Sequence, residues 1–463
     1  MAGGLRDTAL RAHEGARAAA RYTVVIGTAA ALGGLMFGFD VAIITGAGPF
    51  IEHRFALGPL ALGWAFSSLL FGCIVGAAVT GTLVDRFGRK PVMVLVAAVF
   101  AATTIATGLA PTFRAFVIAR ALGGLAVGAV SVVAPLYVAE VAPAHLRGRL
   151  GALYQMAIVT GILLSYLVNY LLQGIGEDAW RVMFYSGALP ALAYLALVLL
   201  VPETPRFLVQ RGDDAAARRV LARTGEGAPD AAIAAIRASL AAEQPTRRDV
   251  FGAATRRPLA IGVVLAVLIH LTGINTIIEY APSIFRSAGF TLDTALLSTF
   301  VVGVANFTFT LISFALIDRI GRRRLYIVGS VGMAAILAFA AVCVAVGAFT
   351  GAVALALVIA FLFFFAACIG PVFWTLLPEL FPNGVRAKAL TVPVLTQWGA
   401  NAVVVLLFPA ALHHVGAAAT FALFAAACAV QAVFTWHMVP ETKDRALEDI
   451  GAEWERRARR SEG

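Results

Sequence analysis

The chain has 463 residues, of which 60% are hydrophobic and only 13% are charged. Soluble globular domains are about half apolar and about a quarter charged. With a mean hydropathy of +0.87, this composition excludes a soluble domain, a disordered chain and a disulfide-stapled secreted scaffold. A membrane-spanning helix needs about 20 apolar residues. The composition therefore predicts an all-α protein that crosses a membrane many times.

The apolar runs predict twelve transmembrane helices. They lie at about 22–47, 60–84, 91–111, 114–138, 150–172, 181–201, 258–283, 294–317, 325–348, 352–377, 389–412 and 416–439. An even number of spans places both chain termini on one side of the membrane.

The basic residues indicate which side that is, because short cytoplasmic loops are enriched in Lys and Arg. Of the 36 Lys and Arg residues, 31 lie on the side of the termini, and four lie on the other: Arg54, Arg114, Arg181 and Arg286. We therefore predict that both termini are cytoplasmic. The formal net charge of +10 comes from many scattered loops that face anionic lipid, so we expect the lipid bilayer as a partner and no nucleic acid.

Three pairs of segments recur at spacings between 233 and 239 residues. They are DRFGRK at 85–90 with DRIGRR at 318–323, PETPR at 202–206 with PETKD at 440–444, and Glu140 and Arg147 with Glu379 and Arg386. This repetition predicts two pseudo-symmetric halves of six helices each. Parallel halves of this kind bind substrate near the bilayer midplane and alternate access by rocking against each other.

The repeat divides the chain into five segments. They are a cytoplasmic N-terminal tail (1–21), a first six-helix half (22–201), a cytoplasmic linker (202–257), a second six-helix half (258–440) and a cytoplasmic C-terminal tail (441–463). The first segment lacks the short apolar core of a signal peptide. The linker is rich in Ala with apolar residues at helical spacing, which favours short helices over the alternative of a flexible connection.

Charged residues cluster at the cytoplasmic ends of the predicted spans, at matched positions of the two halves. We predict that they form a cytoplasmic gate that stays closed while the outer side is open. The alternative is that these loops are basic only because they are cytoplasmic. The predicted gate consists of Asp85, Arg86, Arg89, Glu140, Arg147, Arg149, Glu203, Asp318, Arg319, Arg323, Glu379, Arg386 and Glu441.

Taken in order, the motifs resemble those of the sugar porter family of the major facilitator superfamily. Besides the repeated segments, they are GGLMFGFD at 33–40, the run from Arg120 to PLYVAEVAPAHLRGRL, VPETPRFL at 201–208, GIN and YAP in span 7, GPVFW and PELFP in span 10, and QW in span 11. The resemblance covers essentially the whole chain. It implies a major facilitator fold and import of a monosaccharide or polyol, without a cofactor or covalent chemistry.

Away from the ends of the predicted spans, three charged residues lie inside them: Asp40, Arg120 and Glu279. A charge in the membrane is costly unless it is paired or hydrated. At about 1.5 Å per helical residue, all three lie roughly 10 Å below the outer surface. We predict that Asp40 exchanges a proton and pairs with Arg120 when ionised; a permanent ion pair is the alternative. An acid at the Asp40 position resembles the proton-coupled sugar porters, whereas passive uniporters of the family have a neutral residue.

Glu279 is a departure from the family, which usually has an aromatic residue at this position. It lies 239 residues after Asp40, close to the repeat spacing, so the two acids are candidates for counterparts that face one cavity. Three roles stay open for Glu279: a second protonation site, an acceptor for substrate hydroxyl groups, or a partner for Arg120 or His270.

Amide, imidazole and indole side chains inside the spans are candidates for substrate binding, because sugars present hydroxyl groups and apolar C–H faces. They are Gln155, His270, Asn275, Asn306, Trp374, Gln397 and Trp398. Hydrogen bonding between helices is the alternative for each amide, and the resemblance favours binding. Ile162, Ile269 and His270 stand where the family often has glutamine, which leaves the identity of the sugar or polyol open.

These observations favour a proton-coupled importer in the cell membrane, which we expect to be monomeric. A passive uniporter, a sugar-sensing receptor and a drug–proton antiporter are the alternatives. A receptor would carry a long cytosolic tail, whereas only about 20 residues follow Thr442. The sequence has no nucleotide-binding loop, metal cluster or nucleophile motif, so we predict neither an enzyme nor a metal site.

Overall fold

The computed structural model describes residues 2–141, 147–224, 228–242, 251–381 and 385–443. Within these residues, twelve helical segments are long and apolar enough to cross a membrane. We number them as spans 1 to 12: Val24–Phe55, Pro59–Phe87, Arg89–Leu109, Phe113–Val141, Leu150–Ile175, Ala179–Leu200, Thr255–Glu279, Leu292–Ile317, Arg322–Ala345, Gly351–Glu379, Lys388–His414 and Ala417–Met438. The prediction of an all-α membrane protein with twelve transmembrane helices is therefore confirmed.

The spans form two groups that meet along two interfaces. Spans 1 to 6 pack mainly against one another, as do spans 7 to 12, and the main contacts between the groups are span 2 with span 11 and span 5 with span 8. Each span in the first half has its counterpart six spans later. The two interfaces are therefore equivalent under the pseudo-symmetry of the halves.

Spans 2 and 4 touch through their backbones. A β-carbon at Gly72 would clash with the carbonyl oxygen of Ala121, and one at Gly124 would clash with the carbonyl oxygen of Leu69. Small residues at a helix interface let two backbones approach closely inside a membrane. The glycines of span 2 and span 4 therefore fix the tight packing of the first half.

The described part of the linker contains three short helices, at Pro205–Gln210, Asp214–Arg223 and Pro229–Ala242. The first two begin at capping residues, because Thr204 accepts a hydrogen bond from the Phe207 N–H and Asp213 accepts one from the Ala216 N–H. Such caps satisfy N–H groups that the first helical turn leaves free. The helices share a small apolar core formed by Val209, Ala217, Leu221 and Ile233. We call the end of the bundle that carries this linker the linker face.

The prediction that span 1 ends at 47 is wrong. Its helix continues to Phe55, with Pro49 inside it, because apolar residues follow the Gly-Pro pair and Ile51 is fully buried. The depth predicted for Asp40, roughly 10 Å at about 1.5 Å per residue, was counted from that wrong end. By the same rise, Asp40 lies about 22 Å along the helix from Phe55.

Span 7 is divided where the sequence predicted one continuous run. Helices cover Ala253–Leu271, Ile274–Glu279 and Ala281–Ser287. Gly273 separates the first two with a left-handed φ of 78°, a conformation that glycine adopts without steric cost. The residues before and after Gly273 therefore do not follow one helical face. Span 10 is divided in a similar way, at Ile369, between Gly351–Cys368 and Gly370–Glu379.

Candidate functional site

Asp40 of span 1 and Arg120 of span 4 form a buried ion pair. The Arg120 Nη1 atom donates to Asp40 Oδ1 at 2.8 Å, and Nη2 lies 3.4 Å from the Asp40 carbonyl oxygen. Only 4% of Asp40 and 2% of Arg120 are exposed. The guanidinium also lies over the ring of Phe184, 5.2 Å from its centroid. Two predicted charges from different spans thus meet at one level inside the first half.

A central cavity of about 140 Å³ lies between the two halves. Residues of spans 1, 5, 7, 8 and 10 line it: Val41, Ala42, Gln155, Ile158, Val159, Ile162, Tyr166, Asn275, Ile278, Glu279, Asn306, Thr310, Phe365, Ala366, Gly370 and Pro371. The amides predicted at Gln155, Asn275 and Asn306 come together here. Amides can donate to and accept from hydroxyl groups, and the aliphatic residues offer apolar contact.

Glu279 faces this cavity from the short helix Ile274–Glu279. It is 4% exposed, and neither carboxylate oxygen has a hydrogen-bond partner in the described part of the chain. Asp40 does not line the cavity, although its neighbours Val41 and Ala42 do. The two acids therefore occupy different environments, and only Glu279 meets the space where a substrate would bind.

His270 was expected to point towards the same cavity as Asn275, and it is not among the residues that line it. The left-handed turn at Gly273 lies between them, so the helical spacing from His270 to Asn275 does not apply. His270 is 6% exposed, and neither ring nitrogen has a hydrogen-bond partner among the described residues.

The three predicted aromatic and amide residues of spans 10 and 11 are also not among the residues that line the central cavity. Trp374 is 44% exposed. Trp398 is buried and packs edge-on against Phe37 of span 1, with ring centroids 5.9 Å apart. Gln397 is half-buried, and its Oε1 atom has no hydrogen-bond partner among the described residues. Trp398 therefore joins the two halves in this structure without meeting the cavity.

Two polar residues of the cavity, Tyr166 and Thr310, were not predicted from the sequence. Helical spacing provides a signal for both. Tyr166 follows Gln155 by eleven residues, or about three turns, and Thr310 follows Asn306 by four residues, or about one turn. Each therefore lies on the face of its helix that carries a predicted amide.

On the linker face, Arg89 is the centre of a network within the first half. Its backbone N–H donates to Glu203 Oε1 at 3.1 Å, its Nη2 donates to Glu140 Oε1 at 2.8 Å, and its Nη1 donates to the Val84 carbonyl at 3.2 Å. Arg89 is 4% exposed. The network fastens the turn between spans 2 and 3 to span 4 and to the start of the linker.

Arg322 forms the same network in the second half. Arg322 was not among the gate residues predicted from the sequence. Its backbone N–H donates to Glu441 Oε1 at 3.0 Å, its Nη2 to Glu379 Oε1 at 3.4 Å, and its Nη1 to the Ile317 carbonyl at 3.3 Å. The signal was present, because Arg322 follows Arg89 by the 233 residues that separate the two repeated hexapeptides. The predicted Arg323 instead donates to the Trp436 carbonyl.

A glycine precedes each of these arginines and makes room for the carboxylate. Gly88 has a φ of 96° and Gly321 one of 98°, a left-handed region that favours glycine. A β-carbon at Gly88 would run into the Glu203 carboxylate, and one at Gly321 would run into that of Glu441. The glycine of each DRxGR motif is therefore required by backbone conformation and by space.

The other predicted gate residues take less part in these networks. Asp85 is exposed and lies 3.8 Å from Arg89, and Arg86 and Arg319 are exposed. The side chains of Arg147, Arg149, Asp318 and Arg386 lie outside the described part of the chain. Each ion pair seen between described side chains on this face joins residues of the same half or of the linker next to it.

Comparison with known proteins agrees with this architecture. The family model described as Sugar (and other) transporter matches residues 26–454. Over 457 residues the chain is 38% identical to a glucose transport protein from Synechocystis, covering 93% of this chain and 97% of that protein. Over 478 residues it is 36% identical to the D-xylose-proton symporter of Escherichia coli, covering 94% of this chain and 96% of that protein.

A solved structure of the xylose transporter from Escherichia coli in an inward open conformation has the same fold. It matches with a TM-score of 0.81 and 33% identity, covering 94% of this chain and 100% of that one. Sugar porters are transporters and not enzymes, and twelve helices able to cross a membrane mark a multi-pass membrane protein. From the family match, the identity across the whole length and the shared fold, the chain belongs to the sugar porter family of the major facilitator superfamily.

Proposed function

We propose that the protein imports a monosaccharide or polyol across the cell membrane by proton symport. The observation that carries this proposal is the buried pair of Asp40 and Arg120 directly behind the central cavity. Asp40 precedes Val41 and Ala42, which line the cavity. Protonation of the Asp40 carboxyl group can therefore affect the substrate site through Val41 and Ala42, which lie in the same turn of span 1.

The coupling step follows from the charges. While Asp40 is ionised, it balances the Arg120 guanidinium at 2.8 Å. A proton from the outer solution neutralises Asp40 and removes this ionic attraction, so spans 1 and 4 are freed to rearrange. Release of the proton on the inner side restores the pair. Substrate import is then driven by the proton gradient, because both ligands cross in the same cycle.

We assign the linker face to the cytoplasm and the opposite end to the outside. The excess of Lys and Arg on the linker face supports this orientation. At the opposite end, Phe66 of span 2 stacks on Tyr280 with ring centroids 4.0 Å apart, and Gln173 Nε2 donates to Asp293 Oδ1 at 2.9 Å. Both contacts join the two halves, which supports an inward-open state with a closed outer side. We further propose that the transporter acts as a monomer.

The experiment is transport by the purified protein in proteoliposomes. Counterflow of radiolabelled pentoses, hexoses and inositols, measured with and without a pH gradient, identifies the substrate. For that substrate, Asp40→Asn is expected to keep counterflow and to lose accumulation driven by the pH gradient. Glu177→Gln, at an exposed position, is the control that keeps both activities.

Passive uniport is the alternative outcome of the same experiment. It would appear as equilibration without accumulation in the unmodified protein, with no change in Asp40→Asn. Transport of none of these compounds would overturn the proposed substrate class.

A further inference from the structure

We infer that Glu279 makes the central cavity a binding site for a cationic sugar, one that carries a protonated amino group beside its hydroxyl groups. This inference rests on the proposed sugar transport, and it specifies the substrate class of the same cavity. It concerns a carboxylate that the coupling step above does not use.

The first observation is the distribution of charge around the cavity. Among the described residues that line it, Glu279 alone is charged. Arg120 lies behind the lining and attracts Glu279 through space, but its direct ion pair is with Asp40. An ionised Glu279 would therefore leave the cavity with one negative charge that no direct ion pair in the described structure balances.

The second observation is the state of the Glu279 side chain. It is 4% exposed, and both of its carboxylate oxygens are without hydrogen-bond donors among the described residues. A buried carboxylate needs donors or a counter-charge to offset the loss of water. The cavity is the place from which such a partner can arrive, because Glu279 lines it.

The chemistry of a suitable partner for the Glu279 carboxylate follows from these two observations. A hydroxyl group would supply a neutral hydrogen bond to Glu279 but no charge. An ammonium group would supply up to three donors and the balancing charge, and charge-assisted hydrogen bonds are about twice as strong as neutral ones. The two carboxylate oxygens of Glu279 therefore fit an amine better than a hydroxyl group.

The remaining polar groups of the cavity fit the rest of such a ligand. Gln155, Asn275 and Asn306 are neutral amides that can bind hydroxyl groups as donors or acceptors. Ile158 and Ile162 offer apolar contact for C–H groups. A site with one charged residue and three amides is complementary to an amino sugar or amino polyol, in which one hydroxyl group is replaced by an amine.

The test is a competition experiment in proteoliposomes, with radiolabelled neutral sugar or amino sugar in counterflow. The competitors are D-glucose, D-glucosamine, 6-amino-6-deoxy-D-glucose and N-acetyl-D-glucosamine, at a pH at which the free amines are protonated. We expect at least one free amine to compete about tenfold or more better than glucose and the acetylated sugar, as a charged hydrogen bond would give.

Glu279→Gln is the decisive variant, because it keeps the shape of the side chain and removes the charge. We expect it to lose the preference for the amine while it still exchanges a neutral sugar. Glu279→Asp is expected to keep part of the preference, and Glu177→Gln all of it. A monodisperse size-exclusion profile shows that each variant is folded.

Two results would overturn the inference and leave the proposed function intact. In the first, the unmodified protein exchanges neutral sugars and neither free amine competes better than glucose. In the second, Glu279→Gln keeps the same order of preference among the competitors. Glu279 would then be a proton site at most, whether or not the number of protons per sugar changes in this variant. If no neutral or amino sugar is exchanged at all, the proposed function fails together with the inference.

Discussion

Arg89 and Arg322 lie 233 residues apart and make the same three contacts, each donating to two glutamates and to a carbonyl five residues earlier in the chain. Their surroundings differ in exposure to solvent. The Arg89 side chain is 5% exposed and its partner Glu140 8%, whereas the Arg322 side chain is 17% exposed and Glu379 23%. Equivalent contacts in the two halves are therefore expected to contribute unequally to stability.

We expect Arg89→Gln to destabilise the protein more than Arg322→Gln. Loss of one partner from a well-buried pair costs about 3 kcal/mol, while a more exposed pair is worth about 1 kcal/mol or less. Thermal unfolding of the two variants in the same detergent measures the order. Equal losses, or a larger loss for Arg322→Gln, would contradict the role of burial. Arg211→Gln, in the linker, serves as a control for removing an exposed arginine.

The pair of Asp40 and Arg120 is expected to show strong coupling. Arg120→Met leaves the Asp40 carboxylate buried without its cation, which costs about 3 kcal/mol or more. Asp40→Asn together with Arg120→Met removes both charges, so we expect the double variant to regain much of the lost stability. A double-mutant cycle from unfolding midpoints measures this. Additive losses would show that the two charges do not stabilise each other.

Gly72 and Gly81 lie on the same span and give a matched comparison. Gly72→Ala places a methyl group against the backbone of span 4, and overpacking of this kind costs about 1–3 kcal/mol. Nothing lies within 4 Å of a β-carbon at Gly81, so Gly81→Ala is expected to be neutral or to stabilise the helix by up to about 1 kcal/mol. Unfolding temperature and the monodisperse yield after purification measure both. A stable Gly72→Ala would show that spans 2 and 4 can separate at little cost.

Asn306 and Thr308 of span 8 provide a second matched pair, for substrate binding. Asn306 lines the cavity, and loss of one hydrogen bond to a substrate is expected to raise the Kd about fivefold. Thr308 is exposed and its hydroxyl group donates to the Val304 carbonyl, so Thr308→Ala should leave the Kd unchanged. Equilibrium binding of the transported sugar to the purified protein measures both values. The same Kd for Asn306→Ala and the unmodified protein would remove Asn306 from the site.

Much of the architecture was predictable because hydropathy and repetition depend on composition and spacing alone. Twelve apolar runs indicated twelve helices, which the structure confirms. The end of span 1 was not predictable in this way. Gly48 and Pro49 look like a stop signal, and tertiary packing carries the helix past them to Phe55.

The candidate site was likewise predictable only in part. Gln155, Asn275 and Asn306 were predicted because they are amides inside the spans, and the structure places all three on one cavity. His270 was expected beside Asn275 on the assumption of a continuous helix, and a single left-handed residue, Gly273, invalidated that assumption. Whether a side chain such as that of Glu279 finds a partner depends on distances between spans, which a single sequence does not contain.

The pseudo-symmetry of the halves relates their two interfaces to each other. One interface is formed by span 2 with span 11, and the other by span 5 with span 8. A rotation that opens both interfaces at one end closes both at the other, so the two interfaces are expected to switch together between the two access states. A tenfold shift between such states needs about 1.4 kcal/mol. A difference of one pH unit across the membrane supplies about the same free energy per proton. A pH difference of one unit is therefore large enough to shift this joint equilibrium about tenfold for each proton carried.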